Sequence, residues 1–168
     1  MKQKEQTIVL SGEAGQGIKT LEQLIINAIN RKGLYFFTVS ELMSRIRGGN
    51  NTTEIRISNK PVSGFVEKID VLLLLNKNSM SRLKSRISHE TIIIGEDEFI
   101  DEEYAEGDYT LKKIPINQMA KDAGGKILSN TILYGLICSM FDVPAEAEKD
   151  FLSDTFKEKG EETVEKNH

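Results

Sequence analysis

The chain has 168 residues, of which 39% are hydrophobic and 29% charged, a balance typical of one globular domain with a single core. The formal net charge of −4 argues against a nucleic-acid-binding protein, which usually presents a basic surface. Apolar runs are far shorter than a bilayer span and no secretory signal is recognisable, so we expect a cytoplasmic protein without membrane contact.

The chain opens with a strand, a glycine-rich loop and a helix. Residues 7–10 are apolar and β-branched, which predicts a strand, and the loop follows at residues 11–17. Apolar side chains then recur every three or four positions from Ile18 to Ile29, which is the pattern of an amphipathic helix. Gly33 is the predicted stop of that helix.

Strands and helices continue to alternate along the chain. Further strands are predicted at residues 35–39, 53–57, 71–75, 91–94 and 109–114, and further helices at 78–86, 115–123, 127–141 and after Pro144. Residues 53–57 alternate apolar with polar side chains, which suits an edge or antiparallel strand, and the acidic residues 96–108 predict a solvated loop. This order predicts an α/β fold, a three-layer Rossmann-like domain with a mostly parallel central sheet and an antiparallel edge strand.

The loop before the first helix is the first candidate binding feature. Gly12, Gly15 and Gly17 permit positive φ and close approach of a ligand, and free N–H groups at a helix start favour an anion. We therefore predict positive φ at Gly15 or Gly17. The G-x-x-G-x-G spacing differs from dinucleotide-binding and Walker A loops. A tight turn without a ligand is the alternative.

A second candidate is a flexible cationic loop, made of Arg45, Arg47, Gly48 and Gly49. Guanidinium groups suit carboxylates and phosphates, so this loop is a candidate for anion binding. We expect Arg47 to be exposed near the glycine loop, at the carboxyl ends of the parallel strands. The alternative is a solvated loop whose arginines pair with nearby Glu41 or Glu54.

Three other polar side chains have mainly structural explanations. Asn130, at the start of an apolar helix, is predicted either to cap that helix or to bond a loop. Cys138 is the only cysteine and lies within the same helix, which predicts a buried structural thiol. His89 has no convincing nucleophile partner and is predicted to lie at the surface. One cysteine is too few for an iron–sulfur cluster, which takes about four thiolates.

In their order along the chain, three stretches resemble the gamma domain of the 2-oxoacid:ferredoxin oxidoreductases, which oxidise pyruvate, 2-oxoglutarate or related acids. Residues 12–18, GEAGQGI, resemble the family's opening G-x-G-G-Q-G-V loop. Residues 47–49 and 54–58, RGG and EIRIS, resemble its R-G-G and V-R-I-S block. Residues 114–115, Ala120, Asn130 and Gly135 fall where the family has V-P, I-A, an Asn and a late-helix Gly.

Departures from the family pattern point to one subclass. Ala14 stands where many members have glycine, Ser40-Glu41 lacks the Tyr-Pro often found before R-G-G, and Arg45 is added. These differences resemble the subclass in which the gamma domain is fused ahead of an alpha domain. The resemblance implies that residues 1–168 form a single gamma-type domain at the N-terminal part of a longer chain, with 2-oxoglutarate as the first expectation for the substrate.

The resemblance also implies the chemistry of the whole complex. A 2-oxoacid is decarboxylated on thiamine diphosphate with Mg²⁺, electrons pass through [4Fe–4S] clusters to ferredoxin, and the acyl group passes to coenzyme A. The family places these cofactors on alpha and beta subunits, so this domain is expected to bind none alone, to have no catalytic or metal-binding residue, and to be inactive in isolation. It is expected to pack on the catalytic domains and help enclose coenzyme A through a ligand or interface surface: Gly12, Gly15, Gln16, Gly17, Arg45, Arg47, Gly48, Gly49 and Asn130.

Two other functions fit the same residues. The first is a stand-alone nucleotide-binding regulatory module that uses the loop from Gly12 to Gly17, although the nearest acid beyond the second strand, Glu41, lies poorly for binding a ribose. The second is a structural subunit without a ligand. Titration of the isolated chain with dinucleotides and coenzyme A distinguishes the first from the others.

Overall fold

The computed structural model describes residues 5–43, 49–77, 79–125 and 128–143. These residues form six strands: β1 Gln6–Glu13, β2 Tyr35–Glu41, β3 Asn50–Ser58, β4 Val71–Leu74, β5 Ile92–Gly95 and β6 Thr110–Lys113. They also form four α-helices: α1 Ile18–Arg31, α2 Ser79–Leu83, α3 Ile116–Asp122 and α4 Ser129–Met140. The charged helix predicted after Pro144 lies outside the described residues.

All six strands belong to one sheet in the order β2-β3-β1-β4-β5-β6. The pairs from β1 through β4 and β5 to β6 are parallel, whereas β3 runs antiparallel to both β1 and β2. The predicted α/β fold with a mostly parallel sheet is confirmed. The antiparallel strand β3 lies second from the edge, because the more exposed β2 pairs along its outer side, with Tyr35 opposite Ser58.

Side chains that alternate along the strands fill two separate cores. Ile8 and Leu10 of β1 belong to the core beneath α1, α3 and α4. Val9 belongs to the second core, beneath α2 on the opposite face of the sheet. Because successive residues of a strand point to opposite faces, this division gives the three predicted layers.

The acidic segment 96–108 is more ordered than its composition suggests. It contains two 3₁₀ turns, Asp97–Phe99 and Glu102–Tyr104, and Tyr104 is only 7% exposed. Phe99 and Ile100 also pack against the second core. The expectation of a solvated loop is therefore wrong for these residues, because three apolar side chains anchor the segment while its carboxylates remain at the surface.

The apolar helix α4 holds the only cysteine, Cys138. Its side chain is 6% exposed, and burial raises the pKa of the thiol to about 11. A thiol with so high a pKa stays protonated near neutral pH and is a poor nucleophile. The prediction of a buried structural thiol is confirmed.

Within the four described ranges, no helix combines the length and the apolar character needed to cross a membrane.

Candidate functional site

A cavity of about 600 Å³ lies where three parallel strands end. Gly15 to Gly17 follow β1, Leu74 ends β4 with Leu75 directly after it, and Glu96 follows β5. The lining of the cavity also includes Thr20, Glu98, Phe99, Ile116, Asn117, Ser129, Asn130 and Leu133. Ligands of open α/β sheets bind outside the carboxyl ends of the strands, so this cavity is the candidate site.

The glycine loop forms one wall of the cavity. Strand β1 continues through Gly12, which pairs with Asn51, so the turn itself is shorter than predicted and begins at Ala14. Gly15 and Gly17 have φ values of 88° and 75°. The predicted positive φ is confirmed at both residues, in the region where a side chain is strained.

Helix α1 begins at this loop with its first N–H groups free of intrahelical bonds. Gly17 is the N-cap, it supplies no side-chain cap, and the first turn carries no acidic residue. The first N–H groups of a helix have no partner within the helix and carry part of its positive dipole. This wall therefore suits a phosphate or another anion.

The side chain of Gln16 ties the loop to the end of β4. Its Oε1 accepts a hydrogen bond from the Glu13 N–H at 2.6 Å, and its Nε2 donates to the Leu75 carbonyl at 2.9 Å. Gln16 was predicted as a ligand or interface residue. The structure places it in the cavity wall with both amide atoms bound to backbone groups.

Asn130 connects the loop to helix α4. Its Nδ2 donates to the Gln16 carbonyl at 3.2 Å and lies 3.5 Å from the Gly17 carbonyl. The helix begins at Ser129 with Leu128 as N-cap, and no side chain caps it. Of the two structural alternatives for Asn130, loop bonding is confirmed and capping is wrong.

The opposite wall was not identified from the sequence. Glu96 accepts a hydrogen bond from the Asn117 N–H at the start of α3, and the Asn117 side chain donates to Glu98 at 3.3 Å. Both acids lie in the segment that was expected to be a solvated loop. The available signal was the position of Glu96, directly after a buried parallel strand.

The predictions for Arg45, Arg47 and Gly48 fall outside the described residues. Gly49 is described, is buried, and leads directly into β3. The first residue of β3, Asn50, pairs with Glu13 at the end of β1. The sheet register therefore brings the chain that follows Arg47 to the same end of the sheet as the glycine loop.

A buried polar network holds this beginning of β3. Asn50 donates to Ser79 at 3.2 Å, Ser79 donates to Asn76 at 2.6 Å, and Asn76 donates to Glu13 at 3.4 Å. Arg82 also donates to the Asn50 carbonyl at 2.6 Å. These bonds join β3, α2 and the ends of β4 and β1 beside the cavity.

The two carboxylates that were the proposed partners of Arg45 and Arg47 form ion pairs with other arginines. Glu41 pairs with Arg82, and Glu54 receives two bonds of 2.7 Å from Arg86. The side chains of Glu54 and Arg86 are 12% and 15% exposed. The alternative that the arginines of the cationic loop pair with Glu41 or Glu54 is therefore weaker than the sequence alone suggested.

The residues that line the cavity suit the binding of a ligand. Across the described ranges, no three His, Cys, Asp or Glu side chains come together as metal ligands would. His89 is exposed, as predicted. The cavity combines a glycine loop and a helix start on one wall with Glu96, Glu98 and Asn117 on the other, over an apolar floor. An anionic ligand with an apolar portion suits the first wall and the floor, and the carboxylates of the second wall suit hydrogen-bond donors of the same ligand.

Comparison with known proteins agrees with this architecture. Residues 7–168 match the protein family described as pyruvate ferredoxin/flavodoxin oxidoreductase. A segment of 65 residues, 39% of the chain, is 35% identical to a 2-oxoacid:ferredoxin oxidoreductase subunit alpha from Sulfolobus sp. The segment spans 10% of that relative, so the curated protein is much longer than this chain.

Solved structures share the fold over nearly the whole chain. A 2-oxoglutarate:ferredoxin oxidoreductase from Magnetococcus marinus, with 2-oxoglutarate, coenzyme A and succinyl-CoA bound, matches 99% of this chain and 29% of its own at 27% identity and a TM-score of 0.85. The gamma subunit of a keto/oxoacid ferredoxin oxidoreductase from Geobacter sulfurreducens matches 96% of this chain and 95% of its own at 20% identity and a TM-score of 0.72. The pyruvate oxidoreductase subunit PORC from Thermotoga maritima matches 98% of this chain and 92% of its own at 20% identity and a TM-score of 0.77. Because the family match extends over residues 7–168, this chain belongs to the pyruvate ferredoxin/flavodoxin oxidoreductase family.

Proposed function

We propose that this chain is the gamma domain of a thiamine-diphosphate-dependent 2-oxoacid:ferredoxin oxidoreductase, with 2-oxoglutarate as the 2-oxoacid and an acyl-CoA as the product. The observation that carries the proposal is the cavity beneath the glycine loop. It lies in a chain that matches the Magnetococcus marinus enzyme over 99% of its length, and that enzyme is described with coenzyme A and succinyl-CoA bound.

The chemistry of the cavity walls supports a contact with coenzyme A. The α1 start and the N–H groups of the glycine loop suit its phosphates, because both present partial positive charge without a competing acid in the first turn. Leu75, Ile116 and Leu133 provide an apolar floor for its alkyl segments. The Asn117 amide can bond the amide groups of its pantetheine arm.

The electron-transfer chemistry is assigned to other parts of the complex. The chain has one cysteine, whereas a [4Fe–4S] cluster takes about four thiolates. Thiamine diphosphate, Mg²⁺ and the clusters are therefore proposed to reside on the alpha and beta domains, from which electrons pass to ferredoxin. A reduced compartment such as the cytoplasm suits both the clusters and the single free thiol.

The outer strand supports association with those domains. Tyr35 and Phe36 on β2, and Leu42 and Met43 directly after it, are exposed by 36% to 73%. Strand β2 lies at the edge of the sheet, and no charged side chain interrupts residues 35–40. Natural edge strands are usually protected by charges or by a covering element, so we propose that the catalytic domains cover this one.

Purification of the chain alone provides the test. We expect a colourless protein that reduces no dye with any 2-oxoacid, because it lacks the ligands for a cluster and a thiamine site. An absorbance band typical of an iron–sulfur cluster, at one cluster per chain, would contradict the proposal. Calorimetric titration with NAD, ATP and coenzyme A is the matched control. Tight binding of a dinucleotide by the isolated chain would instead favour the stand-alone nucleotide-binding module.

A further inference from the structure

At two of the three loop glycines, an added side chain would meet a side-chain amide. A Cβ atom at Gly12 would lie 2.5 Å from Gln16 Oε1 and 2.8 Å from Leu75 Cβ. A Cβ atom at Gly17 would collide with Asn130 Nδ2. At Gly15, nothing in the described part of the chain lies within 4 Å of the corresponding position. Gly15 therefore leaves open space where a side chain would be, while the missing side chains of Gly12 and Gly17 make room for the amides of Gln16 and Asn130.

The amide of Asn130 fixes the peptide between Gln16 and Gly17. Its Nδ2 donates to the Gln16 carbonyl at 3.2 Å, whereas the Gly17 carbonyl, 3.5 Å away, accepts the Leu21 N–H of helix α1 at 3.0 Å. In a trans peptide the C=O and N–H groups point in opposite directions. By holding the Gln16 carbonyl, Asn130 keeps the N–H group of Gly17 directed away from itself.

We propose that Asn130 is a positioning residue of the coenzyme A site. It holds the loop in one conformation, so that the N–H group of Gly17 is available to an anionic group of the ligand before that ligand binds. Asn130 does not need to touch the ligand. This inference rests on the proposed function, because it assigns a role within the same cavity.

The positions of the helices make this arrangement effective. Asn130 lies on α4, whereas the loop precedes α1, and both helices pack into the same core. A loop with two residues at positive φ has many alternative conformations, and ordering it during binding would lower the affinity. A donor fixed on a second packed helix removes that cost before the ligand arrives.

The test uses the assembled oxidoreductase with Asn130→Ala and Asn130→Asp. The first removes the N–H donor, and the second keeps the size but places a carboxylate beside two carbonyl oxygens. We expect the KM for coenzyme A to rise about tenfold with Ala, which corresponds to the loss of one hydrogen bond to a preorganised site, and further with Asp. The KM for the 2-oxoacid should stay within twofold. Gln118→Ala and Gln118→Glu, at an exposed position of α3 outside the cavity, are the matched controls.

Hydrogen exchange separates failure of this inference from failure of the proposed function. Coenzyme A should slow exchange at the amides of residues 15–19 in the unaltered enzyme, and no slowing would reject the proposed contact itself. Asn130→Ala should speed exchange at Gly17 without coenzyme A present. Unchanged exchange there, or equal increases of the KM for both substrates, would overturn the positioning role while leaving the proposed function standing.

Discussion

Replacement of Gly17 by alanine should lower the free energy of unfolding by about 2–3 kcal/mol. About 1–2 kcal/mol comes from placing a side chain at a left-handed φ of 75°, and about 1 kcal/mol from displacing the Asn130 amide from its hydrogen bonds. Chemical denaturation followed by circular dichroism measures the loss.

Gly15→Ala is the matched control for this change. Gly15 also has positive φ, 88°, but nothing in the described residues lies within 4 Å of a Cβ atom there. It should therefore lose only the backbone contribution, about 1–2 kcal/mol. Adding Asn130→Ala to Gly17→Ala should cost little further stability, because the Asn130 amide has already lost its hydrogen bonds in the Gly17 variant. Equal losses for the two glycine variants would show that the Asn130 contact is unimportant.

Replacement of Arg86 by methionine should also lower the free energy of unfolding by about 3 kcal/mol, because it leaves the Glu54 carboxylate largely buried without its partner. Arg86 binds both oxygens of Glu54 at 2.7 Å and donates to the carbonyl groups of Val66 and Glu67. The carboxylate of Glu54 in turn raises the pKa of the guanidinium. Thermal or denaturant unfolding of the variant measures the effect.

Lys113→Met tests whether burial causes that loss. The ion pair of Lys113 with Asp97 has side chains that are 50% and 77% exposed. Exposed ion pairs contribute at most about 1 kcal/mol, so this variant should be nearly as stable as the original chain. The double change Arg86→Met with Glu54→Met should recover most of the stability, because no buried charge is left unpaired. A loss for Arg86→Met no larger than for Lys113→Met would refute the explanation.

The order of strands and helices was predictable because the apolar residues of each element follow a clear pattern. The run of β-branched and apolar residues in β4, Val71–Leu74, and the three- and four-residue spacing in α1 leave little ambiguity. The position of β3 within the sheet was harder to predict. Alternation along Asn50–Ser58 indicates one more exposed face, but the partner on the outer side depends on where β2 lies in three dimensions.

The candidate site was predictable on the side of the glycine loop and not on the opposite side. Positive φ at Gly15 and Gly17 follows from local chemistry, and the structure agrees. The contacts of Asn130 with Gln16 span 114 residues, and sequence spacing carries no information about such a distance. Glu96 was missed because the acidic composition of its segment masks the apolar side chains that hold it against the sheet.

The most direct test of the proposed function measures acyl-CoA formation by the complete oxidoreductase prepared with and without this chain. With 2-oxoglutarate, coenzyme A and ferredoxin present, we expect succinyl-CoA and reduced ferredoxin to form only in the preparation that contains the chain. Pyruvate in place of 2-oxoglutarate reports the choice of substrate in the same assay. Equal rates without the chain, or no oxidation of any 2-oxoacid when it is present, would contradict the proposal.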